Sequence, residues 1–212
     1  MKQYRSRILG IWILLASLTL GLTGCSRSQD ADQATTQALE VLRLGVLPDI
    51  TEETLRAQIK PVLDYLEEEL AIPIELVVPT SYKHLLELFE NQEVDVAYFG
   101  GFTFILANHR FGAKPLVMRD KDRKFTSYII TRNDHPAKSL QQLQGATFTF
   151  GSKLSTSGHL MPRHFLAEQA IIPEDFFASV NYSGSHTSTI TQVLDGTVDA
   201  GGVNAAIVER FL

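Results

Sequence analysis

Three consecutive hydroxyl residues, Ser155, Thr156 and Ser157, stand at the start of a helix predicted over residues 156–170. The first turn of a helix carries unpaired N–H groups and a partial positive charge, so anions bind there readily. The hydroxyls add donors for oxyanion oxygens, and Gly158 lets the backbone approach a ligand closely. This combination is typical of a site for a tetrahedral oxyanion that needs no basic side chain.

The same residues also allow a purely structural interpretation. Ser and Thr are common N-cap residues, so the hydroxyl of Ser155 or Thr156 would then only cap the helix. The segment lacks the Gly-x-x-x-x-Gly-Lys-Ser/Thr pattern of a nucleotide-binding loop. Both interpretations stay open at the level of these residues alone.

Metal and hydrolase chemistry find less support in the sequence. His159 and His164 are five residues apart and so do not share a helix face. The single cysteine, Cys25, excludes an internal disulfide and a cysteine-cluster metal site. A Gly-x-Ser-x-Gly nucleophile elbow is missing, and three clustered hydroxyls indicate a donor set rather than one activated nucleophile. We therefore expect no catalytic residue, no metal and no cofactor.

The first half of the chain alternates strand and helix patterns. Alternating or β-branched apolar runs predict strands, and apolar residues at helical spacing predict helices. The predicted order is strand 41–47, helix 51–70, strand 74–78, helix 82–91, strand 94–99 and helix 102–111. Such alternation indicates parallel strands joined by crossover helices.

The second half repeats this organisation after a strand predicted at 127–132. The further elements are a short helix at 140–143, a strand at 146–150, the helix at 156–170, a strand at 180–182, a helix at 188–194 and a strand at 198–203. We expect an α/β fold of two lobes with mostly parallel sheets and flanking helices. Lobe 1 spans 41–125, a hinge strand spans 126–133 and lobe 2 spans 134–212. A cleft between lobes is a common ligand site.

Residues 1–25 have the pattern of a lipoprotein signal peptide. Three basic residues precede an apolar stretch at 8–22, which is too short for a confident membrane span, and the stretch leads directly into Cys25. The residues before Cys25 resemble the bacterial lipobox, in which the cysteine receives a lipid. An ordinary signal peptide, or an anchor helix with an incidental cysteine, is the alternative. Residues 26–40 are predicted to be a flexible tether, because they are rich in Ser, Thr, Gln, Asp and Ala.

The predicted mature protein is acidic. The leader contains three of the 19 basic residues and none of the 24 acidic ones, so its removal changes the net charge from −5 to −8. An acidic protein is a poor candidate for binding nucleic acid. An anionic ligand must then be held by local dipoles, because the overall field repels it.

Five segments, in order along the chain, match the pattern of one protein family. They are Pro79-Thr80-Ser81-Tyr82, residues 94–101, Thr147–Phe150 followed by Ser155-Thr156-Ser157-Gly158, residues 182–186 and residues 196–204. Together they resemble the phosphate/phosphite/phosphonate-binding periplasmic proteins of ABC importers, over nearly all of residues 41–212. The resemblance implies a type II periplasmic binding protein fold, a two-lobed clamp.

The resemblance also implies a set of ligand contacts. These are hydroxyl and amide donors from the Ser-Thr-Ser run, an imidazole donor, two phenols and a polar residue at the ligand's other end. The hydroxyl run is Ser155, Thr156 and Ser157, the imidazole is that of His186, the phenols are those of Tyr82 and Tyr128, and the polar residue is Asn204. From the residues alone, a surface-loop role for His186 and a packing role for Tyr82 remain open.

Two departures from the family pattern stand out. Gly100-Gly101 replaces a Gly-Pro pair, and Phe104 takes the place of a nearby tyrosine. The family's later acidic contact and its return crossover to lobe 1 would lie beyond Leu212. Since the last residues also look like a helix that has barely begun, we expect a C-terminally truncated chain with an incomplete lobe 2.

The implied function is capture of a small phosphorus oxyanion for an ABC transporter permease. The protein is expected to be a monomer, lipid-anchored to a membrane of the cell envelope and facing the periplasm or exterior. Three alternatives remain: a ligand-sensing domain of a membrane signalling system, an exported phosphorus-ester hydrolase, and a remnant that no longer binds.

Overall fold

The first of two β-sheets has three parallel strands. In the computed structural model, which describes residues 39–211, these strands are β1 (Leu42–Val46), β2 (Ile74–Val77) and β3 (Val96–Tyr98), in the order β2-β1-β3. Each strand is followed by a helix: α1 (Glu52–Leu70), α2 (Tyr82–Glu90) and α3 (Gly101–Phe111). The predicted alternation and the parallel strands are confirmed.

The second sheet has four strands and is mixed. Its strands are β4 (Ser127–Thr131), β5 (Thr147–Phe150), β6 (Ser179–Tyr182) and β7 (Ala200–Asn204). They lie in the order β4-β7-β5-β6. Strand β4 is antiparallel to β7, whereas β5 is parallel to both β7 and β6. The helices of this half are α4 (Met161–Glu168), α5 (Pro173–Phe176), α6 (His186–Leu194) and α7 (Ala205–Val208). A 3₁₀ turn at Asp120–Arg123 precedes β4, and another at Leu140–Leu143 lies between β4 and β5. The α/β class with mostly parallel sheets is confirmed.

Two helix starts differ from the prediction in type or by more than one residue. The helix predicted from residue 156 begins as a π-helical turn, Thr156–Leu160, because the Leu160 N–H donates to the Ser155 carbonyl five residues back (3.0 Å). Helix α6 begins two residues earlier than expected, since the Ser185 hydroxyl accepts a hydrogen bond from the Ser188 N–H (3.1 Å) and caps it. The short α5 was not predicted at all.

An aspartate at the beginning of a strand fixes the pairing in each sheet. In the first sheet, the Asp95 carboxylate accepts from the Arg43 N–H (2.8 Å) and from its guanidinium (2.7 and 3.0 Å). In the second, the Asp199 carboxylate accepts from the Thr147 N–H (2.8 Å) and hydroxyl (2.7 Å). Both contacts join neighbouring strands near their amino ends, so the opposite ends, which carry the candidate site residues, are held in a defined register.

The segment predicted as a hinge, residues 126–133, contains β4. This strand pairs over its whole length with β7, from Ser127 opposite Asn204 to Thr131 opposite Ala200. Its backbone hydrogen bonds therefore belong to the second sheet, and a hinge motion at this point stays a prediction.

The signal peptide predicted over 1–25, the lipidated Cys25 and nearly all of the tether lie outside the described residues. Residues 39–211 belong to a compact unit of their own. Within that range, no helix combines the length and the apolar character that crossing a membrane requires.

Helix α6 lies directly on β7, which places its first residue at the candidate site. The second residue of β7, Gly201, makes this possible: a Cβ there would lie 2.5 Å from Cγ2 of Thr189 and 3.3 Å from Cγ2 of Val193. Both of these helix side chains are buried against the sheet. The position of His186 is therefore set by backbone packing rather than by a flexible loop.

Candidate functional site

The loop after β5 folds back on itself and presents the hydroxyl run. The Gly151 N–H donates to the Gly158 carbonyl (2.8 Å), and the Ser155 N–H donates to the Ser152 carbonyl (2.9 Å). The hydroxyl of Ser155 then caps the new helix by accepting from the Gly158 N–H (3.0 Å). The loop is thus a closed structure that leads into the π-helical turn with residues 155–157 at its start.

The turn can be this tight only because residue 158 is glycine. A Cβ on Gly158 would lie 2.9 Å from Cε1 of His186, 3.0 Å from Oγ of Ser155 and 3.3 Å from Cα of Gly151. Distances near or below 3.0 Å are not tolerated between heavy atoms of this kind, so any side chain would push the imidazole away. Gly158 therefore brings the histidine of one helix onto the first turn of another.

All three hydroxyl oxygens of the run accept a hydrogen bond from a protein N–H. The donors are the Gly158 N–H to Ser155 (3.0 Å), the Phe102 N–H to Thr156 (2.9 Å) and the Asn204 side-chain amide to Ser157 (3.1 Å). A hydroxyl can accept and donate at the same time. Each hydroxyl has one hydrogen and two lone pairs, and one lone pair is used in each case. The hydrogen of each group therefore remains for donation to a ligand.

His186 is buried and neutral. Its Nδ1 accepts from the Asn204 backbone N–H (3.3 Å), which places the ring hydrogen on Nε2. Burial lowers the pKa of His186 from an ordinary 6.5 to about 4. At neutral pH, the imidazole is therefore an uncharged hydrogen-bond donor and not a cation.

Tyr82 is the buried phenol of the site. It is the first residue of α2, whose N-cap Ser81 accepts from the His84 N–H (3.0 Å). Burial is the largest cause that raises the pKa of Tyr82 well above its usual value, and the nearby Ser155 hydroxyl only partly offsets it. The phenol therefore keeps its proton at neutral pH.

Asp49 is a member of the site that sequence reasoning missed. It follows β1, and its carbonyl accepts from the His186 N–H (3.2 Å). Burial raises the pKa of its carboxyl, and its charge in turn raises the pKa of Tyr82. The signal was present in the sequence, because polar residues that follow the carboxyl ends of parallel strands often converge on a ligand site.

The site lies where the two sheets meet. The hydrogen bonds from Phe102 to Thr156 and from His186 to Asp49 each join a residue of the first-sheet side to one of the second. Next to the hydroxyl run, Leu154 packs against apolar residues of both α2 and α3. The buried polar groups are thus enclosed between elements of both halves of the fold.

The structure brings six of the seven predicted residues together and leaves the seventh apart. Tyr128 is 42% exposed and pairs with Val203, one step along from the Ser127–Asn204 pair. Successive residues of a strand point to opposite faces, so Tyr128 faces away from the side on which Asn204 lies. Its contact with a ligand stays a prediction.

Asn204 is part of the site, but its amide is engaged within the protein. Its Nδ2 donates to Ser157 and its Oδ1 accepts from the Ala206 N–H (2.9 Å). A contact with the far end of a ligand therefore also stays a prediction. Among residues 39–211, no group of three or more His, Cys, Asp and Glu side chains is arranged to hold a metal ion.

Comparison with known proteins places this chain in a family. The family model described as "ABC transporter, phosphonate, periplasmic substrate-binding protein" matches residues 44–212. The "Probable ABC transporter phosphite binding protein PhnD1" of Prochlorococcus marinus (strain MIT 9301) is 29% identical over 181 residues, which are 82% of this chain and 61% of that protein. The "Phosphate-import protein PhnD" of Mycolicibacterium smegmatis is 27% identical, covering 93% of this chain and 65% of that protein.

The fold agrees with a solved structure of the same kind. PhnD1 of Prochlorococcus marinus in complex with methylphosphonate superposes with a TM-score of 0.77 at 28% sequence identity, covering 81% of this chain and 66% of that one. This chain thus spans a little under two thirds of the length of these relatives. Since the family model covers most of the sequence, the protein belongs to the phosphonate periplasmic substrate-binding family of ABC transporters.

Proposed function

We propose that this protein captures a small phosphorus oxyanion (phosphonate, phosphite or phosphate) and presents it to the permease of an ABC importer. The observation that carries the proposal is the state of the three hydroxyls: each already accepts a hydrogen bond from the protein. An ionised oxyanion offers only acceptors. The three hydroxyl hydrogens can all donate to such an anion, whereas each hydroxyl oxygen has only one lone pair left for a ligand that brings donors of its own.

The site suits an anion although it lacks a cationic side chain at its centre. The first turn of the helix at Thr156 contributes backbone N–H groups and the positive end of its dipole. Neutral His186 contributes an Nε2–H, and the buried, protonated Tyr82 contributes a phenol hydrogen. Donors of this kind are fixed by the fold, so little entropy is lost when the ligand binds.

The named relatives support the choice of phosphorus over other anions. By their names, two of them bind phosphite and import phosphate, and the structural relative was solved with methylphosphonate. All three ligands are tetrahedral and share the P–O oxygens that such a donor set recognises. The proposal therefore fixes the oxyanion end of the ligand and leaves its fourth substituent open.

The direct test is a calorimetric titration of residues 26–212, which include the whole compact unit, with phosphite, methylphosphonate, phosphate and sulfate. We expect a phosphorus oxyanion to bind with micromolar or tighter Kd and sulfate to bind at least about tenfold more weakly, about 1.4 kcal/mol. A folded protein that gives no heat with any phosphorus anion would overturn the proposed function.

Removing a single donor should weaken binding. We expect Thr156→Ala and His186→Ala each to reduce affinity by about 1.5–3 kcal/mol, the range for hydrogen bonds to charged groups, and Thr156→Ser to stay close to the parent. Thr197→Ala makes the same chemical change at an exposed turn and serves as the control. Equal affinity for the parent and both alanine variants would contradict the site assignment.

The neutral state of His186 predicts a pH dependence of stability. In the unfolded chain His186 is protonated near pH 6.5, whereas in the folded protein burial lowers its pKa, so it is protonated only near pH 4. The contribution of His186 is therefore complete above pH 6.5 and is lost as the pH falls toward 4, by up to about 3 kcal/mol. Urea unfolding from pH 7 to 4 should show a shallower loss for His186→Asn, whose side-chain oxygen can still accept from Asn204. Identical profiles would show that the histidine is not held neutral.

The proposal includes attachment to a membrane through lipidated Cys25, which rests on the sequence of the leader. An anchored binding protein stays close to its permease without crossing the membrane itself. In a bacterial host, we expect the parent chain in the membrane fraction and Cys25→Ala in the soluble fraction of the cell envelope. Retention of both in the membrane would mean that the apolar leader, not a lipid, is the anchor.

A further inference from the structure

His159 belongs to the same π-helical turn as Thr156 and Ser157 and is not one of the predicted ligand contacts. Its side chain turns back along the chain, and Nδ1 lies 2.8 Å from the carbonyl oxygen of Lys153. A carbonyl can only accept, so the ring hydrogen is on Nδ1. Among residues 39–211, no backbone N–H donates to that carbonyl, so the imidazole is its donor within the described part of the chain.

The other ring nitrogen fixes the same tautomer. The Arg163 Nε–H donates to His159 Nε2 (3.2 Å), and the Tyr182 hydroxyl lies 3.3 Å from that nitrogen. Arg163 is itself held by two hydrogen bonds to the Glu174 carboxylate (2.6 and 3.0 Å) and by one to the Tyr182 hydroxyl (3.1 Å). Since an arginine can only donate, Nε2 carries no hydrogen, and the imidazole is an Nδ1–H donor directed at Lys153.

The orientation of the ring is set by its aromatic neighbours. The imidazole packs edge-on against Phe150 and Tyr182, with ring centroids 5.1 Å apart in both pairs. Burial is the largest cause that lowers the pKa of His159, and the hydrogen bond to the Lys153 carbonyl offsets only part of it. At neutral pH, the ring is therefore uncharged and keeps the tautomer that donates to the loop.

Two hydrogen bonds tie the loop after β5 to the helical turn. One is the backbone bond from the Gly151 N–H to the Gly158 carbonyl (2.8 Å), and the other is the side-chain bond from His159 to Lys153. The segment between Lys153 and His159 contains all three hydroxyls. Because the Lys153 carbonyl lies two residues before Ser155, loss of the side-chain bond would free the backbone next to the hydroxyl run, while the backbone bond still holds the outer ends of the loop.

We propose that His159 is a positioning residue for the anion site, whose Nδ1–H bond to Lys153 holds the backbone of the hydroxyl run in the geometry that an oxyanion needs. The inference rests on the proposed function, because it concerns the same hydroxyls. His159 itself does not touch the ligand. It pre-organises the donors, so that less freedom is lost when the ligand binds. The hydrogen on Nδ1 carries this role, and the ring packing keeps that nitrogen in place.

Two substitutions separate the donor from the ring. His159→Phe keeps an aromatic ring against Phe150 and Tyr182 but lacks the donor, whereas His159→Asn places an amide N–H near the position of Nδ1 and lacks the ring. In calorimetric titrations with phosphite and methylphosphonate, we expect His159→Phe to bind about tenfold more weakly than the parent and His159→Asn to stay within about threefold of it. A purely structural role predicts the opposite order, since the packing of a buried aromatic ring is what His159→Asn removes.

His164 offers a matched control on the exposed side of α4. Its side chain lies 3.5 Å from Glu168 at the helix surface and makes no contact with the loop. His164→Phe and His164→Asn repeat both chemical changes there, and we expect neither to alter the affinity.

A second measurement needs no ligand. Hydrogen exchange of residues 26–212 reports on the amides of Ser155 and Gly158, which are bonded within the loop and the turn. We expect His159→Phe to speed their exchange by about tenfold and His159→Asn to leave it near the parent rate. The amide of Phe148, in the middle of the second sheet, should exchange at the same rate in all three proteins.

The outcomes distinguish this inference from the proposed function. If the parent binds no phosphorus anion, the proposed function fails, and unchanged exchange in His159→Phe would then overturn the inference as well. If the parent binds but His159→Phe matches it in affinity and exchange, only the inference is overturned. A greater loss of affinity with His159→Asn than with His159→Phe would also overturn it, because ring packing and not the donor would then be responsible.

Discussion

The close approach of backbone and imidazole at Gly158 is the constraint on which the site depends. Cε1 of His186 lies only 2.9 Å from where a Cβ of residue 158 would be, and the absence of that Cβ also lets Ser155 cap the turn. Helix α6 reaches this place only because Gly201 lets it lie on β7. Two glycines in different elements thus determine how near the histidine comes to the hydroxyl run. Since these are contacts of a close-packed interior, neither can be relaxed without moving a whole helix.

Recognition by donors has a particular advantage in an acidic protein. A lysine or arginine would attract many anions, and its charge would have to be buried or paired at considerable cost. Here the donor side chains of the site are uncharged, and every buried side-chain oxygen and nitrogen of residues 39–211 has a hydrogen-bond partner within the protein. These groups therefore do not depend on a ligand to be satisfied. Selectivity then comes from the number and geometry of donors rather than from attraction at long range.

Local patterns predicted most of the elements, whereas tertiary contacts determined what the site residues do. Strand and helix order, and the cap at Ser155, follow from apolar spacing and from the preference of serine for helix starts. The face on which Tyr128 lies depends on antiparallel pairing with β7, a partner more than 70 residues away in sequence. The π-helical turn depends on two bonds that span five residues, from the Leu160 N–H to the Ser155 carbonyl and from the Met161 N–H to the Thr156 carbonyl, and no composition rule signals them. Asp49 was missed because a lone aspartate after Pro48 is also a common turn residue.

Thr156 illustrates how binding and contact between the two halves can be one event. Its oxygen accepts from the Phe102 N–H, near the start of α3, while its hydrogen can donate to a ligand. Donation to an anion makes a hydroxyl oxygen more negative and so a better acceptor, which is the cooperativity expected of a hydrogen-bond chain. Under the proposed function, a ligand that accepts the Thr156 hydrogen would therefore strengthen the bond that joins the two halves. Because such coupling is reciprocal, a contact that strengthens this bond would also favour the proposed ligand.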